Sequence, residues 1–400
     1  MREVLFLAHR VPFPPDRGDK IRSFHVLTHI ASFARVHLVA FADDPRDLDP
    51  PAEFRALLGE CVVLPRAKSR ARAAVEALAT GKPLSLAAFA DRRFAAAVRD
   101  ILSRYPVDVI YAFSGQMAQY LPDGGPRVVM DFVDLDSAKF AAYADDARGP
   151  MRWLMRREAR LLGAYERAVA ARVDASLFVS EAEAALLPGA QALENGIDTV
   201  RFDPAVVAPV AERGPLIVFT GQMDYRPNID AVTAFARDAL PTIRARHPGA
   251  RFAIVGRAPT PAVRALAGEA LIVTGEVADV RPWLAAAAVV VAPLQLARGV
   301  QNKVLEAMAM ARAVVASPAA AEGIDHAGTI VVADEPADAV CMLLDAPFKA
   351  EALGMLARER VKARYGWDAR LAGVRELLSP SPLQGRGCRA KRWRERGRRV

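Results

Sequence analysis

The chain has 400 residues, 52% of them apolar and 25% charged. Its length exceeds one ordinary domain and its composition excludes general disorder, so two domains are expected, each large enough to bury a core. The formal charge of +8 sits largely at one end, because residues 386–400 hold eight Lys/Arg and one Glu. About +1 remains for the rest, which excludes the broad basic excess of a nucleic-acid binder, and residues 380–400 read as a disordered basic tail.

In chain order, the opening run 4–8 is too short for a signal-peptide core and reads as a first buried strand. Further apolar, β-branched runs follow at 36–41, 61–64, 107–113, 128–132 and 175–180. After a proline-bearing stretch with Pro204, Pro209 and Pro215 they resume at 216–220, 252–255, 271–274, 289–292, 313–316 and 329–332. Ala/Arg/Leu-rich helical segments separate them. Near-continuous apolar strands alternating with helices imply parallel sheets covered on both faces. Twelve strands are too many for one ordinary twisted sheet, so two doubly wound α/β domains are expected. The segments 66–82 and 151–172 read as basic helices. The second has a packing face, with Arg152, Arg156, Arg157 and Arg160 toward water; such a helix can also lie on an anionic membrane. No stretch reaches the roughly 18–20 apolar residues of a spanning helix. Cys61, Cys341 and Cys388 form no paired spacing, which suits a reducing cytoplasm without disulfide or zinc.

Ligands gather at the carboxyl ends of parallel strands, and Gly221, Gly256, Gly275 and Gly299 lie there. Residues 297–310 carry the most chemistry. Gly299 lets the backbone approach a ligand, and a helix is expected to start at Asn302 as N-cap. Free amides at that end, together with Lys303, suit a diphosphate. Glu306, three residues on, shares the helical face of Lys303 and can accept from vicinal hydroxyls. The alternative from these residues alone is a capped core helix with a surface Lys–Glu pair. Ser180-Glu181-Ala182-Glu183 reads as a helix cap, and His25 and His29 as a plain helix face.

The wording of segment 297–310 resembles the donor-site region of glycosyltransferase family 4, retaining enzymes of the GT-B fold, and the resemblance runs over residues 3–378. Glu194-Asn195-Gly196-Ile197-Asp198 with Phe202 is similar to the family's interdomain passage. Phe219-Thr220-Gly221 through Asn228 is similar to its first nucleotide-domain turn, and Thr274-Gly275-Glu276-Val277 to its base-contacting turn. Tyr365-Gly366-Trp367-Asp368 is similar to the start of the helix that crosses back. Pro12–His25, with Gly18-Asp19-Lys20-Ile21-Arg22, resembles a subgroup tied to bacterial exopolysaccharide and exosortase loci.

The resemblance implies two Rossmann-like domains facing across a cleft, with a C-terminal helix crossing back. The expected divisions are 1–197 on the acceptor side, a linker at 198–215, a nucleotide-sugar domain at 216–364, a crossing helix at 365–379 and the tail. It implies donor binding by Gly18 (on a first-domain loop), Gly221, Arg226, the Val277 backbone, Gly299, Val300, Asn302, Lys303 and Glu306. Asp19 and Arg22 are expected on the acceptor side. The chain departs from the family in three places. Arg298 stands where a carboxylate is common, Arg226 has no matching Lys, and no His occurs near Phe132. Arg298, Asp131 and Asp134 are therefore the candidate catalytic groups; the alternative for Asp134 or Asp136 is to cap the next helix. The implied reaction moves a sugar, with retention, from a nucleoside-diphosphate sugar to a glycan or lipid-linked hydroxyl acceptor. It needs no metal or other cofactor. The expected location is cytoplasmic, with peripheral membrane contact permitted. A non-catalytic sugar-nucleotide-binding module and a GT-B epimerase are the alternatives.

Overall fold

The computed structural model describes residues 2–15, 18–297 and 300–379, without the side chains of Arg70 and Asp146. These residues form two compact units, one made of residues up to 195 and from 371 onward, the other of 196–370. Each of the twelve expected runs holds a strand, shortened in places such as Val331–Val332 within 329–332, and a short thirteenth joins them among the described residues.

The first unit contains β1 (Arg2–Ala8), β2 (Ala34–Ala42), β3 (Leu58–Pro65), β4 (Val109–Phe113), β5 (Arg127–Val133), β6 (Ala175–Phe178) and the unforeseen β7 (Gln191–Ala192). They pair in the order β3-β2-β1-β4-β5-β6-β7, every pairing parallel. Residues 4–8 of β1 are all buried, as expected of a strand covered on both faces. The order reverses between β1 and β4, which makes that the switch point of the sheet.

Helix Gly149–Ala170 shows how this unit is held together. Its packed face carries Leu162 and Val169, as expected, but also Glu158 and Glu166. Glu158 accepts from the amide of Leu84 at 2.7 Å, and Glu166 from the amide of Ser137 at 3.1 Å. Each acid thus serves the open N-terminus of a neighbouring helix, where orphan amides and the helix dipole favour a carboxylate. Ser180 caps the helix Glu181–Ala184 through the amide of Glu183, as its motif indicates.

The second unit contains β8 (Leu216–Thr220), β9 (Arg251–Val255), β10 (Leu271–Gly275), β11 (Ala287–Ala292), β12 (Val314–Ala316) and β13 (Val331–Val332). Their order is β10-β9-β8-β11-β12-β13, again parallel, with the switch point between β8 and β11. Residues 198–215, expected as a linker, belong to this unit. Two motifs far apart in the chain meet here. The amide of Ile197 donates to the Tyr365 carbonyl at 2.7 Å, and a Cβ on Gly196 would lie 2.7 Å from the Trp367 backbone. Only glycine fits that approach. The expected crossing helix is instead two short helices, Trp367–Leu371 and Val374–Leu377, with a break between them. No helix among the described residues is long and apolar enough to cross a membrane.

Candidate functional site

The second unit holds a cavity of about 520 Å³ at its switch point. That volume falls within the range of small-ligand sites. Its lining comes from the carboxyl ends of β8, β9 and β10 and from the start of helix Asn302–Ala309, which follows β11. Parallel strands place these turns side by side, so residues from four parts of the chain converge.

The floor is built by glycines. A Cβ on Gly256 would lie 1.8 Å from the Gly221 carbonyl oxygen, so the β8 and β9 turns close only if residue 256 is glycine. A Cβ on Gly221 would lie 2.8 Å from the Asn228 amide nitrogen and 3.1 Å from Lys303 Nζ. Gly221 therefore keeps open the space into which the ammonium reaches. Asn228 is buried; it donates to the Gln222 carbonyl at 2.8 Å and accepts from Lys303 Nζ at 2.6 Å. Lys303 Nζ also lies 4.2 Å from the centre of the Phe219 ring, a cation–π contact. These partners aim the ammonium at the Gly221 turn. The buried Thr220 hydroxyl, in the same lining, has no hydrogen-bond partner among the described residues.

Lys303 and Glu306 both line the cavity, as their shared helical face requires. Burial lowers the Lys303 ammonium to about 8, against the opposing pull of Glu306. Burial raises the Glu306 carboxyl to about 7, with Lys303 and Arg201 acting the other way. Both groups are thus held near neutrality in water-poor surroundings, the state in which a complementary ligand charge is felt strongly. The amides that open the helix add donors, since the first turn has no intrahelical acceptors for them.

Other expectations are sharpened or overturned. Gln301, not Asn302, is the N-cap residue, and it makes no side-chain cap bond; Asn302 is the first helical residue and lines the cavity. Val277 lines the cavity beside Glu276, just past the left-handed turn at Gly275 (φ 70°). Val300 packs against the core of the unit. Arg226 does not face the cavity: its guanidinium pairs with Asp230, one turn along, and its side chain is 83% exposed. Arg257, which no motif in the sequence singles out, lines the cavity instead. In the amide orientation that satisfies both groups, the Gln222 oxygen accepts from Arg257 Nε at 3.0 Å. Its position directly after Gly256, at the end of a buried strand, was the available signal. Arg298 and Gly299 lie outside the described residues, as does the basic tail.

In the first unit the catalytic and acceptor readings of Asp131 and Arg22 are corrected. Asp131 is 0% and Arg22 1% exposed. The carboxylate takes two guanidinium bonds, at 3.1 and 3.2 Å, the Tyr111 hydroxyl at 2.8 Å and the Val133 amide at 3.1 Å. It has no capacity left for a substrate hydroxyl. Gly18 opens helix Gly18–Ala31 rather than lying on a loop. Asp19 pairs with Arg10 and with His9, which hold its carboxyl far below the usual range despite partial burial. Asp134 is exposed, and neither it nor Asp136 caps the following helix: the N-cap is Leu135, without a side-chain bond.

The fold is GT-B: two Rossmann-like α/β units, each with its own parallel sheet. Sucrose-phosphate synthase from Thermosynechococcus elongatus shares it, with a TM-score of 0.60 at 16% identity over 94% of this chain and 98% of that one. So does Anabaena Alr3699/HepE in complex with UDP, with a TM-score of 0.57 at 14% identity over 94% and 99%. Residues 214–346, which include the cavity, match the family model Glycosyl transferases group 1. Among curated proteins, the chain is similar to a GDP-mannose-dependent alpha-(1-6)-phosphatidylinositol monomannoside mannosyltransferase of Mycobacterium tuberculosis. The two are 34% identical over 214 residues, 46% of this chain and 54% of the relative. The chain thus spans about half the length of the curated relatives it matches.

Proposed function

We propose that the chain is a glycosyltransferase that moves a sugar from a nucleoside-diphosphate sugar to a hydroxyl acceptor. One observation carries the reading: Lys303 and Glu306 share one face of a helix that opens on the switch-point cavity, with Gly221 apposed to the ammonium. The diphosphate would take charge from Lys303, Arg257 and the opening amides. Glu306 would accept from the ribose hydroxyls, and the Gly275–Val277 turn would meet the base. Charge that builds on the leaving diphosphate would be met by groups already in place.

The donor is the only small molecule this reading requires. UDP and GDP-mannose appear in the names of the similar proteins, so both nucleotides belong among the candidates. Retention, and a place in exopolysaccharide or surface-glycan synthesis, rest on the resemblance of residues 12–25 and 297–310. The acceptor is read as a glycan or a lipid-linked sugar, met at the inner face of the cytoplasmic membrane.

A panel of UDP-, GDP- and ADP-sugars, followed by thermal unfolding and by donor consumption, tests this. A bound donor at a hundredfold excess over Kd stabilises by about 2.7 kcal/mol. The expected result is a shift with one nucleotide class, and transfer or slow hydrolysis of its sugar. No shift with any donor, or an equal shift in Lys303→Ala and Glu306→Ala, overturns the site.

A further inference from the structure

The first unit carries a surface that the donor chemistry does not use. Helices Asp136–Asp146 and Gly149–Ala170 form a hairpin, and at its turn three large apolar side chains face water. Tyr143 is 51%, Met151 53% and Trp153 62% exposed. Arg148, the N-cap residue of helix Gly149–Ala170, and Arg152, Arg156 and Arg160 along it are exposed, and none of the four has an ion-pair partner among the described residues. A spacing of four residues places them along one slowly turning face. Trp153 shares it, three residues before Arg156 and seven before Arg160. Next to the hairpin, helix Arg70–Thr80 exposes Val75 and Leu78. It is tied on by Arg157, which donates to the Ala77 and Lys82 carbonyls at 2.9 and 3.1 Å.

We propose that this hairpin face docks on an anionic lipid bilayer. The inference deepens the membrane side of the reading above, yet stands on residues remote in sequence from Lys303 and Glu306. The charge pattern selects the partner. Unpaired arginines complement lipid phosphates, while exposed Trp, Tyr and Met favour the boundary between headgroups and acyl chains. A polyanion without an apolar layer, such as nucleic acid, would leave the aromatic groups in water. The interior of the hairpin is packed by Leu162 and Val169 and anchored by Glu158 and Glu166, so docking needs no unfolding.

The test uses the full chain with Trp393→Phe, so that the tail contributes charge but no indole. Vesicles of phosphatidylglycerol and phosphatidylcholine, with part of the phosphatidylcholine brominated, are the probe. The expected results are sedimentation with the mixed vesicles but not with pure phosphatidylcholine, and quenching of Trp fluorescence by bromine. Trp153→Phe should keep sedimentation and lose most of the quenching. Arg152→Glu with Arg156→Glu should weaken sedimentation at least about 25-fold, taking about fivefold per arginine. Any of these vesicle results overturns the proposal: no vesicle binding, quenching that survives Trp153→Phe, or sedimentation unchanged by the charge reversals. Loss of self-association or of duplex-DNA binding in the variants, with vesicle binding intact, overturns it as well. Unaltered circular dichroism and an unaltered donor-induced thermal shift show that the variants are folded. Docking without transfer would sink the catalytic reading alone.

Discussion

Each unit of this protein holds a cation and a carboxylate near the carboxyl edge of its sheet, and the two pairs behave in opposite ways. In the first unit Arg22 and Asp131 are sealed from water, and the carboxylate is saturated by the guanidinium, a phenol and an amide. In the second, Lys303 and Glu306 line an open cavity, with the ammonium lowered to about 8 and the carboxyl raised to about 7. A saturated pair binds nothing more and supports the fold. A pair left short of partners is poised to gain from a ligand that brings the missing charge and hydroxyls. Residue type alone does not separate the two cases; the number of satisfied bonds does.

The largest expected effect tests the sealed pair. Asp131→Ala leaves a buried guanidinium uncompensated and should destabilise the first unit by about 3–5 kcal/mol, read by urea unfolding. A loss below about 1 kcal/mol would mean that the pair is not structural. Next comes Lys303→Ala. Transfer should fall by about 10²–10³-fold, while the urea midpoint holds or rises because a desolvated cation is gone. Equal damage to stability would erase the contrast between the pairs.

Glu306→Gln should weaken donor binding by about 10- to 100-fold through loss of charge-assisted hydrogen bonds. The same group makes wild-type binding depend on pH. Below about 7 the free Glu306 carboxyl is protonated, so binding of a ribose that needs the ionised form releases the carboxyl proton to solvent. Above about 8 the free Lys303 is neutral, so binding of a diphosphate that needs the ammonium takes up a proton. Affinity should therefore rise through about 7 and decline beyond about 8. Calorimetry in buffers of differing ionisation heat reads both proton counts; Glu306→Gln should abolish the acid limb and move the basic limb to lower pH, because Glu306 no longer raises the Lys303 ammonium. The smallest contrast is between two arginines. Arg257→Ala should weaken binding of a nucleoside diphosphate by about tenfold and leave the bare nucleoside unaffected. Arg226→Ala, on an exposed pair, should change either by less than about twofold.

Much of the fold was legible because its signals are local. The run 4–8 is apolar at every position, and that is β1; the run 216–220 is β8. The short β7 was not legible, since Gln191–Ala192 has neither length nor apolar character and becomes a strand only beside β6. In the site, Gly221, Lys303 and Glu306 stood out by type and spacing. Asn228 carries no signal of its own in the sequence, yet with Phe219 it aims Lys303. Its role depends on a partner 75 positions away.

Consecutive residues by themselves determined two doubly wound sheets, glycine turns at strand ends, and a helix with Lys303 and Glu306 on one face. The sheets follow from near-continuous apolar runs closed by glycines, and the helix face from a period of 3.6 residues, signals that any short window displays. Only the tertiary structure decided that Arg22 meets Asp131 across 109 residues, and that Arg257 rather than Arg226 enters the cavity. It also decided that Glu306 and Lys303 sit near neutrality. Burial and charge pairing are properties of neighbours in space, and the chain order does not record them.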